Sequence, residues 1–158
     1  MKMREIVSRD AIVAKLLSPN RDDAIGEMLD ALIAARVVEG GLKKQLMTSV
    51  IEREKRGSTG FGKGVAVPHV KLPGLKKMVA AVGVSQTGVD FNALDKQPVY
   101  SIILLISPAE RPEEHLQAME VIFKNLSQDA FRRFLRQAAS PDDVWTLLGE
   151  ADAQHLPA

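Results

Sequence analysis

The chain has 158 residues and a formal net charge of +1 from 21 basic and 20 acidic side chains, so no strong field draws it to a nucleic-acid backbone or an anionic membrane surface. Hydrophobic residues make up 46% and charged residues 26%, ordinary globular proportions that exclude a long disordered segment and predict one packed domain over residues 1–150 with a frayed tail at 151–158. Cysteine is absent, which excludes disulfides, thiolate catalysis and sulfur-ligated metals and fits a reducing compartment.

Taken in chain order, the first seventeen residues carry Lys2, Arg4, Glu5, Arg9, Asp10 and Lys15 and lack the apolar run of a secretory signal. Ala11 to Leu17 is apolar enough for a first strand, and Ser18-Pro19-Asn20 is a turn and helix-cap cluster. Ile25, Met28, Leu29, Leu32 and Ile33 recur at helical spacing and predict a helix within 20–38, stopped by Gly40-Gly41. Leu46, Met47, Val50 and Ile51 predict a second over 42–55, leading into a glycine-rich loop from Gly57 to Gly64. Val65-Ala66-Val67-Pro68-His69 reads as a short strand, and 79–84 and 99–106 as two more, the last continuous enough for the middle of a sheet. That last run is also less than half the length needed to cross a bilayer as a helix, so the expectation is a soluble, cytoplasmic protein without membrane insertion. Pro112 opens a helix whose stripe contains His115, Met119, Ile122 and Leu126, with Leu116 and Phe123 beside it. Ser127 is a candidate cap for a helix carrying Phe131, Phe134 and Leu135, and Ser140-Pro141-Asp142-Asp143 starts a last one with Val144, Trp145 and Leu148. Central strands flanked by helices indicate a layered α/β domain whose strand order does not follow from the pattern.

The segment Gly57-Ser-Thr-Gly-Phe-Gly-Lys-Gly64 brings backbone N–H groups and small hydroxyls together and suits an anion, although such a turn also serves as plain connection. Gly57, Gly62 and Lys63 match part of a nucleotide-binding P-loop, but Gly64 stands where magnesium needs a hydroxyl, the loop follows a helix, and a strand follows it. His69, after Pro68, has an imidazole that is mostly neutral at cytoplasmic pH, and its free lone pair can attack phosphorus; a surface or hydrogen-bonded structural histidine is the alternative. His115 lies in a helical first turn, where negative charge is favoured, or else edges the apolar stripe. Arg53, at a helix end, can donate to phosphate oxygens or be a solvated terminal charge. Three histidines without a metal-binding spacing, and Ser58 outside a nucleophile elbow, argue against metal and hydrolase chemistry. His155, in the tail, reads as non-functional.

Together Arg53-Glu54, Gly57-Ser58-Thr59-Gly60-x-Gly62-x-Gly64-x-Ala66-x-Pro68-His69 and Pro112-x-x-His115-Leu116 form a pattern that resembles the fructose/mannitol-type enzyme IIA family of the bacterial phosphotransferase system, including its nitrogen-regulatory branch. The likeness is strongest from Ile51 to Leu126, extends to Phe91, Leu94, Asp95 and Pro98-Val99, and before Thr48 is only one of general pattern. It implies a three-layer α/β/α sandwich with a central mixed sheet. It also implies that His69 accepts phosphate from a histidine phosphocarrier protein and passes it to a IIB domain. His115 and Arg53 would support the phosphorylated ring, with Ser58, Thr59, Gly60 and Gly62 forming the phosphate loop. No metal, nucleotide or other cofactor is implied, nor any nucleic-acid partner. Phe61 replaces a commoner smaller aliphatic residue and Lys63 adds charge, departures that bear on partner choice. Docking calls for an exposed apolar patch, expected to include Phe61 and Val70. Two roles stay open, a transport phosphocarrier and a regulatory module whose binding to a target protein depends on His69 phosphorylation. The chain ends soon after these motifs without a fused IIB or membrane segment, an expectation that leans toward regulation.

Overall fold

A computed structural model describes residues 1–154, so His155 lies outside the described residues. Two long runs rich in β-branched side chains, Val79–Val89 (β4) and Val99–Pro108 (β5), pair antiparallel, with Val79 opposite Ile106 and Ala81 opposite Leu104. Val7–Val13 (β1) adds to β4 in parallel, and Val65–Ala66 (β2) and His69–Leu72 (β3) both add to β5 in parallel. The result is a mixed five-stranded sheet, ordered β1-β4-β5-β2 with β3 also on β5.

Both faces of this sheet are buried, and the two-residue period of β5 divides its side chains between two cores. Ile103 and Leu105 enter one with Ile122, Phe131, Leu135, Val144 and Leu148. Ile102, Leu104 and Ile106 enter the other with Ile25, Met28, Leu29, Leu32, Leu46 and Val50. Each such side chain contributes about 1.5–3 kcal/mol of burial. Arg21–Ala34 (α2) and Lys43–Arg56 (α3) cover the second face; Pro112–Leu126 (α4), Asp129–Gln137 (α5) and Pro141–Asp152 (α6), with the short Met3–Ile6 (α1), cover the first. The α/β class and the mixed sheet are those expected.

Several boundaries differ from expectation, each for a local reason. The first strand begins at Val7, because pairing with β4 (Val7 with Ala80, Ile12 with Val82) selects it over 11–17. Helix α2 stops at Ala34, before the glycines: Arg36 takes φ +61°, and Val37 N–H donates to Leu32 O at 3.2 Å, a left-handed C-terminal cap in which arginine stands in for glycine. The expected strand over 65–69 is split at Val67-Pro68, since proline has no N–H for a ladder. Ser127 ends α4, its hydroxyl donating to Lys124 O, and Gln128 takes the N-cap position of α5 without a side-chain bond. Helix α6, started by Ser140 accepting from Asp143 N–H at 3.1 Å, continues through Asp152. Fraying expected from residue 151 is thus not seen there: Ala151 is buried, and the Asp152 carboxylate accepts from Met3 N–H at 2.6 Å and Arg4 N–H at 3.0 Å.

Candidate functional site

The site forms where α3 ends, the glycine-rich loop crosses the edge of the sheet, and α4 begins. Helix α3 delivers Arg53 and Glu54 in its last turn, then gives way to Gly57. Arg53 Nη1 donates to Gly57 O at 2.8 Å. The Glu54 carboxylate is buried and accepts from both the amide of Thr59 (3.0 Å) and its hydroxyl (2.6 Å). A buried carboxylate needs such partners, and the loop is thereby tied to the helix that precedes it.

Other contacts fix the rest of the loop. Gly60 N–H donates to Ser58 Oγ at 3.0 Å, and Leu94 N–H donates to Gly60 O at 2.8 Å. A side chain at Gly60 would place its Cβ 2.9 Å from that of Ala93, so only glycine lets the loop lie against the β4–β5 connector. Gly62, at φ +118°, makes the turn that brings Val65 N–H to Gly62 O. Part of the loop's donor set is thus committed within the protein. The N–H and O–H of Thr59 and the N–H of Gly60 already serve protein acceptors, and Ser58 holds the one hydroxyl proton of the segment with no recorded acceptor among the described residues.

His69 emerges from this bracket onto β3. The carbonyl of Pro68 accepts from Leu105 N–H at 3.0 Å and Val67 N–H donates to Thr59 O at 3.3 Å, which pins the backbone on both sides of the dipeptide. Nδ1 of His69 lies 2.9 Å from the Val67 carbonyl. A carbonyl only accepts, so Nδ1 carries the proton and Nε2 keeps the lone pair. Burial pushes the pKa of His69 below its usual 6.5; Arg53 and Lys71 lower it further, while the Val67 carbonyl and Glu54 oppose them. The ring is half-buried and uncharged at neutral pH.

His115, one turn into α4, brings its ring within 5.4 Å of that of His69, centroid to centroid, at an interplanar angle of 51°. Its Nδ1 lies 2.7 Å from Ser107 Oγ on β5. Burial, and then the charges of His69 and Lys71, lower its pKa to about 4. Two neutral imidazoles thus face one another beside a guanidinium, a juxtaposition of His69, His115 and Arg53 drawn from β3, α4 and α3. The sequence reading did not single out Ser107 or Lys71; the register that sets Lys71 opposite Ser107, two residues beyond His69 opposite Leu105, reveals them.

Of the two residues expected in an exposed apolar patch, Phe61 is exposed, and Val70 is not. Val70 packs against the core under α2 and α3, whereas Phe61 of the loop packs tilted against Phe123 of α4, with centroids 5.1 Å apart and planes at 52°. Phe61 and Phe123 remain 36% and 37% exposed, and Leu116 is 61% exposed. Among the described residues no helix is long and apolar enough to cross a membrane, and no group of three His, Asp or Glu side chains is placed to hold a metal ion.

Comparison with known proteins bears on this geometry. The nitrogen regulatory protein of Klebsiella oxytoca is 34% identical over 133 residues, covering 82% of this chain and 79% of that one. The fructose-specific EIIA component of Haloferax volcanii is 30% identical over 130 residues, covering 82% of this chain and 83% of that one. Against the fructose-specific EIIABC component of Bacillus subtilis, 27% identical over 152 residues, the chain covers 24% of the relative's length. The crystal structure of nitrogen regulatory protein IIA-Ntr from Neisseria meningitidis superposes with a TM-score of 0.81 at 28% identity, covering 91% of this chain and 97% of that one. Escherichia coli enzyme IIAMTL, solved in complex with phosphorylated enzyme IIBMTL, shares the fold at a TM-score of 0.70 and 18% identity, covering 90% of this chain and 96% of that one. Residues 5–151 match the family described as "Phosphoenolpyruvate-dependent sugar phosphotransferase system, EIIA 2", and the chain belongs to that family.

Proposed function

We propose that the protein is a cytoplasmic phosphoryl carrier in which Nε2 of His69 accepts a phosphoryl group from a phosphorylated histidine phosphocarrier protein and passes it to a IIB domain or a regulatory target. The observation that carries this reading is the facing pair of neutral imidazoles, with the Nδ1 proton of His69 held by the Val67 carbonyl. A lone pair on Nε2 attacks phosphorus in line as the donor's P–N bond breaks, and the bonding pair returns to the donor's imidazole. His69 gains positive character while phosphorylated, and the Val67 carbonyl stabilises its Nδ1–H. Arg53, His115 and the Ser58 hydroxyl supply donors to the equatorial oxygens. Thr59, Gly60 and Gly62 hold the bracket in place and leave direct phosphate contact to those three.

The first test is mass measurement of the purified protein after incubation with a phosphorylated histidine phosphocarrier protein. One acid-labile phosphoryl group is expected on the wild type, none on His69→Ala, and slower labelling on His115→Ala. Full labelling of His69→Ala would end the assignment.

A regulatory role, in which phosphorylation of His69 switches binding to a target protein, is supported by the 34% identity to a nitrogen regulatory protein across most of both chains. The exposed Phe61–Phe123 pair and Leu116 offer an apolar docking surface for either acceptor. Binding of the candidate partner to the phosphorylated and unphosphorylated forms separates the two roles: a carrier exchanges its label, whereas a switch changes affinity without losing it.

A further inference from the structure

Ser107 lies in the central strand β5, fully enclosed at 0% exposure, and the one side-chain hydrogen bond recorded for it is the 2.7 Å contact to Nδ1 of His115. A hydroxyl can give or take a proton in such a pair, so the direction must follow from what each partner would otherwise leave unmet. If Nδ1 carried the hydrogen, the hydroxyl proton of Ser107 would be buried without an acceptor among the described residues. Were Ser107 to donate instead, only a hydroxyl lone pair would be left over, a smaller loss in a dry interior. A neutral ring has one N–H, and with Nδ1 accepting, that N–H is on Nε2.

We infer that Ser107 is a positioning residue that fixes the tautomer and ring orientation of His115, so that the second imidazole offers an Nε2–H donor, not a lone pair, to a phosphoryl group on His69. The inference rests on the carrier reading above. The two rings then hold opposite tautomers, imposed by different partners: the Val67 carbonyl places the proton of His69 on Nδ1, and the Ser107 hydroxyl places that of His115 on Nε2. One ring presents the nucleophile and the other the hydrogen-bond donor, across a centroid separation of 5.4 Å. A mobile His115 would spend part of its time turning a lone pair toward the anion, which repels it. Ser107 is placed for this by register, since it sits opposite Lys71, two residues past His69 on the neighbouring strand.

The test is the long-range proton–nitrogen NMR spectrum of the unphosphorylated protein labelled with 15N-histidine, for the wild type and Ser107→Ala, together with phosphoryl-transfer rates. The wild type should show His115 protonated at Nε2, and Ser107→Ala should show its two ring nitrogens averaged between tautomers. The rate in Ser107→Ala should fall about tenfold, as for a donor that is disordered and not deleted. In a His115→Ala background the same serine change should leave the rate unaltered, because its effect passes through that ring. A wild-type His115 protonated at Nδ1, a Ser107→Ala spectrum identical to that of the wild type, or an equal further loss in the His115→Ala background would each overturn the inference. The tautomer is read without phosphorylation, so a failure of the carrier reading, seen as labelling of His69→Ala, is a separate result.

Discussion

At the scale of single residues, the acceptor role proposed for Nε2 of His69 depends on an uncharged ring, and its environment makes one. Because the pKa of His69 is depressed below 6.5, phosphorylation by the donor should be independent of pH above that value and decline only under more acidic conditions, with a midpoint below 6.5. A midpoint at or above 6.5 for the His69 step would contradict the arrangement. The depressed values also bear on stability. Between about 6.5 and about 4 the unfolded chain binds a proton that the folded His115 refuses, so stability falls as pH drops through that window and the effect of this group levels off below it. Titration of the His115 ring protons by NMR should give a midpoint of about 4. Arg53 acts at the same scale: Arg53→Ala removes the cation beside His69 and the tether to Gly57 O. Transfer should slow by roughly a hundredfold to a thousandfold, as when one positioned donor is lost, while the urea midpoint changes little. An unchanged rate would remove Arg53 from the site. His69, His115 and Arg53 stood out in the sequence through motifs that resemble those of the enzyme IIA family, and the fold brings them together, whereas Ser107 did not, since a serine within an apolar run gives no sign of what it faces.

At the scale of elements, the turn from α3 through the loop to β3 decides where His69 stands. Its anchor is the buried Glu54 carboxylate, which receives both donors of Thr59. Thr59→Val removes the hydroxyl but keeps the amide bond, leaving a buried charge short of one partner. Stability should fall by about 1–3 kcal/mol, measured by urea unfolding, and a loss below about 0.5 kcal/mol would show that the pair does not hold the loop. The glycines announced this loop, yet the donors of Thr59 and the amide of Gly60 turned out to serve protein acceptors. A run of small residues indicates that amides can converge on one point, and an acidic side chain at the end of the preceding helix decides what they converge on. Strand boundaries followed the same logic. Val99 to Ile106 was readable because all of it but Tyr100 is buried in the sheet, whereas β1 was displaced by several residues because Ala11–Leu17, with six apolar residues of seven, reads more like a strand than Val7–Val13, with four, and only pairing with β4 overrides that.

At the scale of the whole molecule, the two ends of the described chain meet. The Asp152 carboxylate accepts the amides of Met3 and Arg4 at the start of α1, and the Arg4 guanidinium donates to Trp145 O at 2.8–3.1 Å while lying over the Trp145 ring. Asp152→Ala should therefore cost about 1–2 kcal/mol, the size of a lost helix cap, visible as a lower urea midpoint with the phosphotransfer rate unchanged. Full stability in that variant would show that the contact between the ends is incidental. The sequence alone determined the class of fold, the longer helices, the central strand and the family to which the chain belongs, because periodicity, caps and motif spacing are local properties that a linear reading preserves. Tertiary structure decided the strand partners, the inward use of the loop amides, the docking of Phe61 on Phe123 and the pairing of Ser107 with His115. Each of these joins residues distant along the chain through register and packing, and those relations exist only once the sheet has formed.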